Sequence, residues 1–144
     1  MNIAQLTFKP ERGMPMQTPE TLHVSKAGGI AGDFRSTGNQ QISLWNKADQ
    51  NAAANMQPQG LCMRRFSANI IIDGLENGAL NSGDTLKMGD VEIRITQVGK
   101  NCFPNECSLP HTGVRCPLQS CLYGSVETDG VLRLGDTVEI IRAE

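Results

Sequence analysis

The sequence predicts a mainly β domain: a small barrel- or sandwich-like fold with one or two short helices. Three observations carry this. The chain has 15 glycines in 144 residues and only 4% aromatics, which favours many turns and short elements over long helices. The segment "DVEIRIT" (residues 90–96) alternates cleanly, with Val91, Ile93 and Ile95 facing one side and Glu92, Arg94 and Thr96 the other. Only one stretch has good helix formers.

Taken in order, residues 2–8 have β-compatible side chains and are expected to open the first strand. Residues 11–20 contain Gly13, Pro15 and Pro19 and should be loop or edge. In "LHVSKAGGIAGDF", Gly28, Gly29 and Gly32 forbid a regular helix and point to unusual backbone conformations. "QQISLW" (40–45) is a short strand candidate. "NKADQNAAANMQ" (46–57) is the helical stretch, ended by Pro58 and Gly60. "SANIIIDGL" is a strand with a turn at Asp73-Gly74, and "TVEII" (137–141) is the last strand. "LNSGDTLKM" (80–88) matches "LRLGDTVEI" (132–140) as a weak repeat. Because the surrounding residues do not match, two Gly-Asp turns feeding strands explain it better than a duplication.

The length suits one domain over residues 1–144. A net charge of −2 argues against a general nucleic-acid or membrane-surface binder. The N-terminal "MNIAQLTFKPERG" lacks the pattern of a signal peptide. No apolar run approaches the ~20 residues of a membrane span. A reducing cytoplasm is therefore the expected setting, and an odd count of five cysteines fits a disulfide framework poorly.

Four of those cysteines lie in "GKNCFPNECSLPHTGVRCPLQSC", spaced Cys102-x4-Cys107-x8-Cys116-x4-Cys121. Two Cys pairs around a loop are one arrangement for tetrahedral zinc, although pairs in zinc ribbons usually stand two residues apart. An iron–sulfur cluster of the plant type needs a further close pair, which is absent. The other reading is a single reactive sulfur. Val98 falls out of phase with Ile95, so a bulge or strand end is expected near residues 97–99, a feature often found beside functional sites. Lys100 and Cys102 then stand two residues apart and would share a side in extended backbone. A nearby ammonium favours the thiolate and raises its reactive fraction. Against this, a Cys is commonly just a small buried hydrophobe. Arg64 and Arg65 precede the "SANIII" strand and suit phosphate or carboxylate, or form an exposed edge pair. His23 and His111 are far apart and form no ligand set by spacing. No dinucleotide fingerprint, P-loop, nucleophile elbow or H-E-x-x-H is present.

Five segments in order, "GGIAGDF", "QQISLW", "GLCMRRFSANIIIDGL", "LNSGDTLKMGDVEIRITQVGKNC" and "GSVETDGVLRLGDTVEI", resemble the MOSC domain family, named after the C-terminal domain of molybdenum cofactor sulfurase. The resemblance covers most of the chain from about residue 28 and implies a β-rich, barrel-like fold. It implies that Cys102 occupies the family's characteristic cysteine position, as a sulfur- or metal-binding thiolate. It also implies molybdenum cofactor (molybdopterin) as the ligand, with Arg64, Arg65, Asn69 and Lys100 as cofactor-binding residues. Family members are proposed to carry or deliver sulfur, and some reduce N-hydroxylated compounds with bound molybdenum cofactor. The chain departs from the family pattern at Arg35, where a His is common, at Gln40, where an Arg is common, and at Ala68 of Ala68-Asn69, where the family has Glu-Asn. These departures weigh against reductase chemistry and leave the cysteine in place. The chain is too short to hold a pyridoxal-phosphate desulfurase domain as well, so a sulfur-donor protein such as a desulfurase is the expected partner. The alternatives are a structural zinc module using Cys102, Cys107, Cys116 and Cys121, and a molybdenum-dependent reductase.

Overall fold

The computed structural model describes residues 1–33, 41–56, 66–76, 78–99 and 116–143. The strands are β1 (Asn2–Leu6), β2 (Thr21–Ser25), β3 (Gly29–Ile30), β4 (Ile42–Asn46), β5 (Ile70–Asp73), β6 (Thr85–Met88), β7 (Val91–Val98), β8 (Leu122–Val126), β9 (Gly130–Arg133) and β10 (Val138–Ile141). Helix α1 spans Lys47–Ala54, and a 3-10 turn spans Pro117–Ser120.

Seven strands form one sheet in the order β1-β5-β4-β8-β7-β6-β10. Its two edges meet. Asn2 bridges Thr137, and the amides of Ile3, Gly135 and Val138 donate to Asp136, Ile3 and Met1 carbonyls at 2.9–3.0 Å. The sheet is therefore a nearly closed barrel, as the sequence predicts, and closure satisfies the edge groups that an open sheet exposes. A second sheet, β3-β2-β9, packs Leu22, Val24, Ile30 and Leu132 onto the same interior. That interior is almost wholly aliphatic, with Leu6, Ile42, Leu44, Ile70, Ile72 and Ile93 fully enclosed.

The period-two reading of residues 90–96 holds: Val91, Ile93 and Ile95 are buried and Arg94 is exposed. So does the break in phase. The β7–β8 register shifts between Ile95 and Gln97, and Val98 turns outward at 45% exposure. The helical stretch is α1. Asn46 caps it, its Oδ1 accepting from the Asp49 amide at 2.7 Å, and Asp49 sits in the first turn where a carboxylate suits the helix dipole. Strands β2, β3, β8 and β9 and the 3-10 turn were not singled out from the sequence.

The repeat is a pair of matching turns. Gly83 and Gly135 both have positive φ (99° and 84°). The carboxylates of Asp84 and Asp136 each accept from the amide three residues back, Asn81 at 2.9 Å and Arg133 at 3.0 Å. The strands these turns feed, β6 and β10, pair with each other.

Candidate functional site

Alternation divides the sheet into two faces. On β4, Ile42 and Leu44 point into the barrel while Ser43 and Trp45 point outward. On the outer face, Trp45, Ala53, Ala68, Ile71, Leu118 and Cys121 form a second buried cluster under α1 and the 3-10 turn. Two polar knots are embedded in this outer layer.

The first centres on Asn69. Its Oδ1 accepts from the amide and the hydroxyl of Ser43, both at 3.0 Å. Its Nδ2 donates to the Thr7 carbonyl at 3.1 Å and to the Asp33 carboxylate at 2.7 Å. An amide offers two donors and two acceptor lone pairs, and these four contacts take them all. The Asn69 amide also donates to Ser43 Oγ, and Thr7 Oγ1 donates to the Ala68 carbonyl. Thr7, Asp33, Ser43 and Asn69 are all buried, so the knot holds β1, β4 and the entry to β5 in one arrangement.

The second centres on Ser120. Trp45 Nε1 and Asn46 Nδ2 donate to its hydroxyl, each at 3.1 Å. The hydroxyl lies in hydrogen-bonding contact with Asp49 Oδ2 and is 2.9 Å from the Pro117 carbonyl. Asn46 Nδ2 also reaches Asp49 at 3.2 Å. One serine thus joins β4, the first turn of α1 and the 3-10 turn. Phe66 packs edge-on against Trp45, with ring centroids 5.2 Å apart at 82°.

Beside this turn β7 ends. The Gly99 amide donates to the Cys121 carbonyl at 2.7 Å. Gly99 has φ +82°, and a Cβ there would stand 3.2 Å from the Gln119 carbonyl, so both backbone conformation and space call for glycine. A cleft of about 180 Å³ opens at this end of the barrel, lined in part by Asn46, Leu80, Val98, Gln119 and Leu122.

Of the residues singled out from sequence, Cys102, Lys100, Arg64, Arg65, Cys107 and His111 lie outside the described residues, as do the departures at Arg35 and Gln40. Asn69 is the buried hub above. Cys116 is half-buried and packs against the outer cluster; Cys121 is fully enclosed within it. His23 is exposed on β2. Among the described residues, no three His, Cys, Asp or Glu side chains gather as a metal site, and no helix is long and apolar enough to cross a membrane.

Ser43, Asp33, Asn46, Asp49 and Ser120 had not been singled out as site residues. Asn46-x-x-Asp49 had a local signal, the spacing of a helix cap. Ser120 had none, because its side-chain partners are 71 to 75 residues away.

A family model described as the MOSC domain matches residues 20–139. No curated protein matches the chain in sequence. Among solved structures, the YuaD protein from Bacillus subtilis superposes with a TM-score of 0.72 at 15% identity, over 99% of this chain and 96% of that one. YiiM from Escherichia coli gives 0.64 at 16% identity, over 100% and 71%. YiiM from Geobacillus stearothermophilus gives 0.62 at 16% identity, over 98% and 75%.

Proposed function

This chain belongs to the MOSC domain family, a family linked to molybdenum-cofactor-related proteins, and on that premise we propose that it is a sulfur carrier or cofactor-binding module acting through Cys102. The observation that supports this most is the build of the strand exit three residues before Cys102. The phase break at Ile95–Gln97 and the glycine clamp of Gly99 on Cys121 fix where β7 ends. The chain that leaves this point carries Lys100 and Cys102.

The chemistry of the proposed donor set fits the cofactor. A thiolate at Cys102 is a soft ligand suited to a molybdenum–sulfur centre, and Arg64, Arg65 and Lys100 are cations suited to an anionic pterin phosphate. When bound, the cofactor supplies a metal centre able to hold or exchange sulfur. Asn69 serves this site as a positioning residue. Its amide is saturated by Ser43, Thr7 and Asp33, so it acts by holding Asp33, the last described residue before 34–40.

As a carrier, Cys102 takes sulfur from a persulfide donor, a desulfurase-type partner. The Cys102 thiolate attacks the donor's terminal sulfur. One S–S bond forms at Cys102, the donor's S–S bond breaks, and the donor leaves as a thiolate, with no net oxidation.

The test is the metal, pterin and sulfur content of natively purified wild-type and Cys102→Ala protein, before and after exposure to a persulfide donor and to molybdopterin. The expected result is loss of sulfur acceptance, cofactor retention or both in the variant. Equal behaviour of the two proteins contradicts the role of Cys102. Near-stoichiometric zinc, lost together with folding when two of the clustered cysteines are changed, favours the structural zinc module instead.

A further inference from the structure

Away from α1, the outer face of β6, β7, β8 and β10 carries charged and hydroxyl side chains in rows across the strands. In one row Lys87 stands between Glu92 and Glu139, a cation with a carboxylate residue on either side. The next row differs. Arg94 is exposed and stands between Thr85 and Ser125, with no carboxylate directly across from it. Among the described residues its guanidinium has no hydrogen-bond or ion-pair partner. Glu127 is the matching anion. Its amide donates to the Glu92 carbonyl at 2.8 Å, so Glu127 continues the β7–β8 ladder with a second carboxylate residue as its cross-strand neighbour. Glu127 is exposed, and among the described residues it too lacks an ion-pair partner. In this register Glu127 is the diagonal neighbour of Arg94, a spacing of about 7–8 Å in an antiparallel pair.

Arg94, Glu127, Ser82, Thr96 and Ser125 line one open groove of about 400 Å³, a volume suited to a small molecule. Its hydroxyls are sorted by role. Ser82 Oγ donates to the Thr96 carbonyl and Thr96 Oγ1 to the Tyr123 carbonyl, each at 3.2 Å, so both have spent their proton and offer lone pairs. The Ser125 hydroxyl has no partner among the described residues and is free to donate. We infer that this groove binds a small zwitterion: a free α-amino acid whose side chain ends in a hydrogen-bond donor. The carboxylate takes the Arg94 guanidinium, which suits a planar anion, and the Ser125 hydroxyl. The ammonium lies toward Glu127, and the side-chain donor toward the Ser82 and Thr96 hydroxyl oxygens. The register sets this order, because Glu127 and Thr96 lie on opposite sides of the Arg94–Ser125 pair along the strands. A simple anion would meet Glu127 as a like charge, and a simple cation would meet Arg94. A molecule with both charges on one short skeleton satisfies both. The site uses no cysteine and is independent of the proposed role of Cys102.

The test is a titration of the whole protein, labelled with nitrogen-15, followed by amide chemical shifts. The probes are L-glutamine, 4-carbamoylbutanoate, which lacks the ammonium, and 4-aminobutanamide, which lacks the carboxylate. L-glutamine should bind saturably in the millimolar range, with shifts centred on residues 82–83, 94–96 and 125–127. Each analogue should bind about tenfold more weakly, since each loses one charge-assisted contact. Arg94→Gln should weaken L-glutamine about tenfold, and Ser125→Ala should weaken it less. Glu127→Gln should weaken L-glutamine by a similar factor but leave 4-carbamoylbutanoate unchanged or bound more tightly, a split that a general loss of structure would not produce. Arg94 and Glu127 are exposed, so these two substitutions test the site without emptying the core. Absence of saturable shifts with L-glutamine overturns the inference. So do equal affinities for all three probes, shifts centred elsewhere, or unchanged L-glutamine binding in Arg94→Gln.

Discussion

The two faces of strand β4 use opposite means to be buried. Inward, Ile42 and Leu44 are fully enclosed among aliphatic side chains and carry no polar atoms. Outward, Ser43 and Trp45 are nearly as buried, yet every polar atom around them is committed: Ser43 to Asn69, Trp45 to Pro117 and Ser120. Apolar packing is non-directional and tolerates modest repacking, so the inner face specifies that a barrel forms. Saturated hydrogen bonds are directional, and the outer knots fix one arrangement of α1, the 3-10 turn and the entries to β4 and β5. Asn69, the described member of the proposed site residues, belongs to this outer layer.

The sharpest way to break this contrast is to damage each face separately. Leu44→Ala removes a fully enclosed side chain from the inner face and should cost about 4 kcal/mol by urea unfolding. If that variant still folds at low temperature, its Cys102 alkylation profile should match wild type. Asn69→Leu, similar in size and better suited to an apolar core, should still cost about 3 kcal/mol, because buried groups of Ser43, Thr7 and Asp33 lose a partner. A neutral result would show that the outer knot is not what holds that layer. Gly99→Ala forces a Cβ into left-handed backbone against the Gln119 carbonyl and should cost about 1–2 kcal/mol. Its effect on Cys102 should exceed its effect on stability, the reverse of Leu44→Ala.

The smallest effect concerns the Gly83-Asp84 turn. Asp84 accepts from the backbone of Ala143 and Asn81, with Arg142 adding a salt bridge at 3.1 Å, and these contacts hold its carboxyl below the ordinary value of 3.8. Between the lowered folded value and 3.8 the unfolded chain binds more protons, so stability rises with pH there. The contribution is fully present above that range and is lost as pH falls through it. Urea midpoints measured in acid should therefore fall less steeply in Asp84→Asn than in wild type, with no change in the Cys102 profile.

The sequence made the inner face easy to read, because its signal is local. Alternation at residues 90–96, the Ile70-Ile71-Ile72 run and the two Gly-Asp turns each predict a strand from a few neighbouring residues. The end of β7 was legible too, from the phase of Val98. The barrel's closure was not, since β1 meets β10 across nearly the whole chain. Strand β8 carries the small Gly124 and Ser125 amid its apolar residues, which weakened its pattern. The outer knots were the least legible. Thr7, Asp33, Ser43 and Asn69 lie up to 62 residues apart, and serines and asparagines of a buried knot look, residue by residue, like those of any loop. The family resemblance singled out Asn69, but its saturation by neighbours emerged only from the fold.

The central claim is that Cys102 is the sulfur-bearing residue, and it has a direct test. The whole protein is incubated with a small-molecule persulfide donor, remaining thiols are blocked, and each cysteine-containing peptide is weighed. The account predicts that the Cys102 peptide gains one sulfur atom well ahead of those holding Cys62, Cys107, Cys116 and Cys121, and that Cys102→Ala gains none. Sulfur spread evenly over the cysteines, or taken up equally by Cys102→Ala, would contradict it.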